Sequence, residues 1–208
     1  MGSQPKKPHK HSLSAPCVYT LRMELNPDEI SPTIWRRIVV DGRVSLAKLH
    51  HYIQAAFGWT DSHLHEFTIG EKRYTLPHAD DAMDDIERLD ERRAYLNRLL
   101  TVDDRFVYLY DFGDSWNHVI TVESFEPIDN DPQGHAWIEG GARACPPEDV
   151  GGVHGYHEFL ESILTNPHSE RSKELFAWVD GEYDPDQFDR RAANAAIKRI
   201  LWNQWGGK

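Results

Sequence analysis

The chain is short of cysteine, short of positive charge and without a long apolar run, and each shortage removes a class of protein. Cys17 and Cys145 are its two cysteines in 208 residues. They are too few for a disulfide framework, and no C-x-x-C pair is present to seed a structural zinc site. No stretch approaches the ~18 consecutive apolar residues that a membrane-spanning helix needs. The opening segment MGSQPKKPHKHSLSAP is basic without an apolar centre, so it does not read as a secretory signal. A cytoplasmic protein is therefore expected, with a flexible basic tail over residues 1–16 and one domain over 17–204. The formal net charge is −11, from 23 Lys and Arg against 34 Asp and Glu. Duplex DNA and anionic membranes are held by clustered cations, so both are poor partners for a chain of this charge.

What is present argues for a real core. Aromatic residues make up 11% of the chain and include seven tryptophans, which speaks against disorder throughout. CVYTLRMEL (Cys17–Leu25) alternates with the period of a half-buried strand, and TIWRRIVV (Thr33–Val40) gives a second. VSLAKLHHYIQAAFGW places Leu46, Leu49, Ile53 and Phe57 near helical spacing, with Ser45 as N-cap and Gly58 as the stop. Two short strands follow in HLHEFTIG and KRYTL. The charged run DDAMDDIERLDERRAYLNRLL reads as an exposed helix, with Asp84 and Asp85 preceding Arg88. Arg105–Tyr110 and Trp116–Phe125 form a hairpin, and a loop is expected from Glu126 to about Gly141. Helical patterns occupy the region of Tyr156–Ile163, then Glu170–Val179 and Asp186–Trp202. Strands lead and helices finish, so the class is α+β: one compact domain, mainly antiparallel, with a helix after the second strand and helices at the C-terminal end.

The segments YTLRMEL, SPTIWRRIVV, SLAKLHHYIQAAFGW, HLHEFTI, YLYDFGDSWNHVITVE, CPPEDVGGVHGYHEFL and DPDQFD occur in this order between Val18 and Arg190. In them the chain resembles the plasmid pRiA4b ORF-3-like family, whose members are often found beside transposase genes on plasmids and insertion elements. The resemblance implies a compact α+β domain and an association with mobile elements. It implies no reaction. Some members carry a label likening them to a transposon resolvase. This sequence offers neither a serine-nucleophile region with an arginine cluster nor the charge for it.

The chemistry-bearing residues concentrate around DFGDSWNH (Asp111–His118). Asp-Phe-Gly here is no kinase motif, because the Gly-rich loop, the strand lysine and the His-Arg-Asp loop are missing. Asp111, Asp114 and His118, with His63 and His65, are ligand types for zinc or manganese, and Glu148 and Asp149 could add oxygens. The spacing fits no diagnostic ligand set, so a divalent metal stands as the alternative to having no cofactor. As a structural turn, Asp111 and Asp114 would accept from loop amides while Tyr108, Tyr110, Trp116 and Val119 pack on the sheet. PPEDVGGVHGY puts Gly151 and Gly152 before a helix, where amides can face an anion, but Glu148 and Asp149 oppose a phosphate and no Walker lysine follows. On the second strand Arg36 points with Ile34 and Ile38, and Trp35 with Arg37 points the other way. A buried Arg36 would want a carboxylate such as Asp111 or Asp114; an exposed Trp/Arg patch would suit a partner protein. Cys145 before two prolines and Ser115 near His118 make poor nucleophiles.

Three functions remain from sequence. The leading one is a non-enzymatic module that binds another protein through Trp35, Arg36, Arg37, Asp111, Asp114, Trp116, His118, Glu148, Asp149, Gly151 and Gly152. The alternative is a metal-dependent hydrolase or nuclease-like enzyme built on Asp111, Asp114 and His118. The last is a nucleic-acid-associated factor using Arg36, Arg37 and the arginines of residues 88–98.

Overall fold

A computed structural model describes residues 16–77, 88–129, 135–179 and 181–206. Alternation in the first 25 residues becomes β1 (Cys17–Leu25), whose odd-numbered side chains are buried. β2 (Ile34–Asp41) follows, then α1 (Leu46–Phe57). The expected stops hold α1: the Lys48 amide donates to Ser45 Oγ at 3.2 Å, and Gly58 takes a left-handed φ of 91°. β3 (His65–Ile69), β4 (Lys72–Thr75) and β5 (Arg88–Asp90) come next, then a 3₁₀ turn (Glu91–Arg93) and the one-turn α2 (Leu96–Leu99). The hairpin is β6 (Arg105–Tyr110) with β7 (Trp116–Pro127), and β8 (Ala136–Ala142) completes the strands. Helices α3 (Gly152–Thr165), α4 (Glu170–Trp178) and α5 (Arg190–Asn203) close the chain.

The strands form one sheet in the order β5-β4-β3-β6-β7-β1-β2-β8. Neighbours are antiparallel except β4 and β5, which run parallel. The fold is α+β, as the pattern of strands and helices predicts. Register puts the apolar residues on one face: Leu21 opposite both Ile38 and Val122, and Phe106 opposite Ile120. α1 lies against this face and is buried on nearly every side, with α5 packing against both α1 and β8. Burial of apolar area on this scale is the main stabilising term of such a domain.

Two expectations change. The charged run is not one helix: its residues 80–87 lie outside the described part, and the rest is β5, a 3₁₀ turn and α2. The reason is specific pairing. Leu89 lies opposite Tyr74 in the parallel ladder, Glu91 is buried against His65 at 2.9 Å, and Arg88 reaches Glu66 at 3.4 Å. Charges that look like a solvated face are spent on buried or half-buried partners. The loop expected after Glu126 contains β8, which pairs Ile138 with Ile38 and Ala142 with Trp35. Gly140 and Gly141 dilute its alternation, yet they are needed there. A Cβ on Gly141 would lie 2.6 Å from the Phe188 ring.

The turn into α3 is equally tight. Gly151 and Gly152 both have positive φ, and a Cβ on Gly155 would lie 1.9 Å from the Val150 carbonyl oxygen. Gly155→Ala should therefore cost about 2–3 kcal/mol through backbone displacement, a fall in melting temperature of roughly 5–10 °C for a chain of this size. Gly140→Ala, where the nearest atom is at 3.5 Å, is the matched control. Equal melting curves for the two variants would contradict this packing.

Candidate metal centre

Three loops meet where β6 ends: residues 58–64 after α1, the turn 111–115, and residues 143–151 before α3. Asp111 starts the turn with a left-handed φ of 54°. Its Oδ1 accepts from the amides of Gly113 at 2.9 Å and Asp114 at 3.3 Å, and its carbonyl accepts from Ser115 N at 2.7 Å. The Asp111 amide donates to Leu64 O at 2.9 Å, and the Gly151 amide donates to Asp114 Oδ2 at 3.1 Å. Thus one carboxylate closes the turn and the other fastens it to the loop before α3. An Asx-type turn explains why aspartate stands at both positions.

The second oxygen of Asp111 looks the other way. His63 Nε2 lies 3.1 Å from Asp149 Oδ1, 3.7 Å from Asp111 Oδ2 and 3.9 Å from Glu148 Oε2. Ligand atoms of His63, Asp111 and Asp149 all fall within 4.8 Å of one another. Donors that share an ion at ~2.0–2.2 Å sit about 3.0–3.5 Å apart, so these side chains need only small rotations to converge. His63 Nε2 is itself buried and has no hydrogen-bond partner among the described residues. The nitrogen thus faces three carboxylates at ion-pair distance without a well-directed hydrogen bond to any of them, an arrangement that a shared cation would satisfy.

Glu148 is held in place from behind. Thr60 donates to its Oε1 through the amide at 2.8 Å and the hydroxyl at 3.1 Å, and Tyr110 Oη donates to the same oxygen at 3.1 Å. Tyr110 in turn accepts from the Ser62 amide at 3.1 Å. Burial, then the nearby Glu148 carboxylate, raises the Tyr110 phenol above its ordinary range, so it stays a donor. Asp149 is the open side of the cluster, with 71% of its side chain exposed.

The sequence candidates divide sharply here. His63, Asp111, Glu148 and Asp149 come together. Asp114 does not join them; it faces the Gly151 amide, which is therefore not free for an anion. His65 turns to Glu91 and stacks on His50 at 3.5 Å between ring centroids. His63 and His65 share a parity, but β3 begins only at His65, so the two rings part company. His118 is fully buried, its Nδ1 within 3.1 Å of the carbonyls of Tyr108 and Trp116. Burial pulls its pKa down to about 3 despite those carbonyls. Trp116 is fully buried as well, beside Trp59 at 6.0 Å. Trp116, His118 and Arg36 are thus core residues and cannot meet a partner. Trp35 and Arg37 lie on the opposite sheet face, where Arg37 holds Glu123 at 2.6 and 3.0 Å.

The expected carboxylate clamp on Arg36 is also replaced. Its guanidinium donates to the carbonyls of Ala56, Trp35 and Ala142 at 2.9, 2.8 and 2.8 Å, and lies 3.9 Å from the centre of the Phe188 ring. Ala56 belongs to the last turn of α1, whose carbonyls have no helical partner and attract a cation. Cys145 is a weak nucleophile: although it is only partly buried, desolvation pushes its thiol up and two prolines follow it. Sequence reasoning missed Thr60 and Tyr110. Tyr110 directly precedes Asp111, and strand alternation alone places it on the packed face.

The sequence model of the plasmid pRiA4b ORF-3-like protein family matches residues 17–192. The chain belongs to this family. The uncharacterized protein y4hQ of Sinorhizobium fredii is 40% identical over 193 residues, covering 90% of this chain and 95% of that protein. The crystal structure of the protein of unknown function MM3350 from Methanosarcina mazei Go1 superposes with a TM-score of 0.75 at 30% identity, covering 87% of this chain and 98% of that one. Both relatives are described without a function, so the family supplies the fold while the chemistry rests on the side chains above. Among the described residues, no helix is long and apolar enough to cross a membrane.

Proposed function

We propose that the protein is a metal-dependent hydrolase whose single divalent ion in this centre is held by His63, Asp111, Glu148 and Asp149. The observation that carries this reading is the convergence of three carboxylates within 3.9 Å of the buried His63 Nε2, which makes no well-directed hydrogen bond to any of them. One nitrogen with several oxygens suits Mn²⁺ or Zn²⁺. Such an ion supplies Lewis acidity and lowers the pKa of a bound water towards neutrality. Tyr110 and Thr60 fix Glu148, the Asx turn fixes Asp111, and exposed Asp149 leaves the ion reachable.

Charge selects the substrate. Three carboxylates around one divalent ion leave the centre net negative, which disfavours a phosphodiester. A cleft of about 740 Å³ between α3 and α4 has Asp149 on its wall, and its other charged lining residues are Glu158, Glu161, Glu174 and Arg171, so acids outnumber the single arginine. An ester or amide with a cationic group fits this lining better than a nucleic acid.

The test is elemental mass spectrometry on protein purified without chelator or metal-affinity resin. Asp111→Asn is expected to lose one metal equivalent per chain relative to wild type, together with any esterase or amidase activity on basic substrates. Equal metal content in the two proteins would sink the reading. A protein-interaction module is the second reading, favoured by the exposed Trp202 at 89% and Trp178 at 46% on the C-terminal helices. It predicts that partner capture survives Asp111→Asn and fails with Trp202→Ala.

A further inference from the structure

The loop that supplies His63 also carries Asp61, and Asp61 faces a second cluster. His50 Nε2 lies 2.7 Å from Asp61 Oδ1, and His51 Nδ1 lies 3.2 Å from Asp61 Oδ2. The ligand atoms of these three residues fall within 4.8 Å of one another. We propose that His50, His51 and Asp61 form a second, separate metal site, taking a borderline first-row divalent ion such as Zn²⁺ or Fe²⁺. Two imidazoles and one carboxylate with open positions are the donor set those ions favour.

The support behind the ligands points the same way. His50 is held on its other ring nitrogen, where Nδ1 lies 2.7 Å from Tyr108 Oη. Metal-bound histidines commonly have such a partner, which fixes the ring and its tautomer. Gln54 Nε2 also donates to the Tyr108 oxygen at 3.0 Å, so without an ion Tyr108 donates to His50 Nδ1; an ion on Nε2 would need the imidazole proton on Nδ1 and the Tyr108 hydroxyl hydrogen turned away from the ring. The ring plane is fixed as well, because His50 stacks on His65 with an interplanar angle of 5°, and Glu91 holds His65. Asp61 has a left-handed φ of 60°, and its amide donates to Gln54 Oε1 at 3.0 Å. A non-glycine residue in this region is uncommon, and here it aims the carboxylate back at α1. The entrance is on the outer side, where the side chains of His51 and Asp61 are 24% and 37% exposed. No ligand is shared with the His63 centre, so this inference stands without that reading and describes no bridged pair.

The experiment uses the full chain with His9→Gln and His11→Gln, which removes the N-terminal histidines from the assay. Asp111→Asn and Asp149→Asn are added to silence the other centre. The protein is stripped with chelator, dialysed and titrated with Co²⁺ alone, followed by visible absorption and by bound cobalt after gel filtration. One tight Co²⁺ per chain is expected, weakened at least tenfold by His51→Gln and by Asp61→Asn. His51→Gln is the safer variant, since its side chain is partly exposed, and its melting curve without metal checks the fold. No bound cobalt, or cobalt unaffected by both variants, would overturn the assignment. Cu²⁺ loaded into the same protein should show electron-spin coupling to two imidazole nitrogens, whereas the His63 centre offers one.

Discussion

Arg36→Ala is expected to lose about 4 kcal/mol of stability in urea unfolding, from lost charged hydrogen bonds and a cavity together. The side chain is 1% exposed and binds carbonyls from three elements: Ala56 ends α1, Trp35 lies in β2 and Ala142 ends β8. Phe57 and Phe188 flank the guanidinium at 5.0 and 3.9 Å. Alanine removes a charged donor from all three carbonyls and opens a void beneath Phe188. Burial lowers the guanidinium to about 10, so the charge persists at neutral pH. Lysine should rescue only partly, because one ammonium cannot follow the fork that reaches Ala56, Trp35 and Ala142 together. Arg36→Met fills space but still removes the charged donor, and should fall between lysine and alanine. If methionine matches wild type, packing rather than hydrogen bonding carries the site.

Acid unfolding should be governed largely by two buried histidines, His118 and His50, the second pulled by burial down to about 4. Burial sets the folded pKa of His118 at about 3, against 6.5 for the free side chain, and the nearby Arg36 charge pushes the same way. Between those values the unfolded chain binds a proton that the native chain refuses. Its contribution is therefore complete above pH 6.5 and is lost as pH falls towards 3. A gap of this size corresponds to roughly 4 kcal/mol across the window. Urea unfolding from pH 7.5 down to pH 4 should show midpoints sliding steadily below pH 6.5. His118→Gln is expected to start less stable at pH 7.5, since it loses a well-placed donor to the Tyr108 and Trp116 carbonyls, and to slope less. Parallel slopes for both proteins would assign the acid sensitivity to His50 or another group instead of His118.

His118 and Arg36 share a lesson about reading polar residues. Each stands in strand alternation with apolar neighbours: Arg36 between Ile34 and Ile38, His118 between Trp116 and Ile120. Parity alone therefore places both on the inner face. It does not say which polar partner they find there. A carboxylate was the natural expectation for Arg36, but the end of a helix and the end of an edge strand offer carbonyls that serve as well. His118 looked like a ligand because it follows Asp111 and Asp114 closely. Strand alternation turns it inward, while the turn keeps both acids near its own amides and the loop before α3, with Asp111 itself buried.

Local signals were enough for much of the architecture. Alternation marked β1, β2, β6 and β7; Ser45 and Gly58 bounded α1; helical periodicity marked α3, α4 and α5. These features depend on contacts within a few residues, where backbone sterics and one-sided burial act directly. The order of strands, the parallel β5 and the late β8 depended on long-range pairing, and neither charge pattern nor glycine content reveals that. The candidate centre divides in the same way. Asp111 as the pivot of a turn is legible from DFGD alone, because aspartate and glycine suit left-handed and tight backbone. Its meeting with His63, Glu148 and Asp149, and the meeting of Asp61 with His50 and His51, required the loops after α1 and before α3 to close over the end of β6. Only the packed fold brings together residues that lie up to 88 positions apart, as Thr60 and Glu148 do.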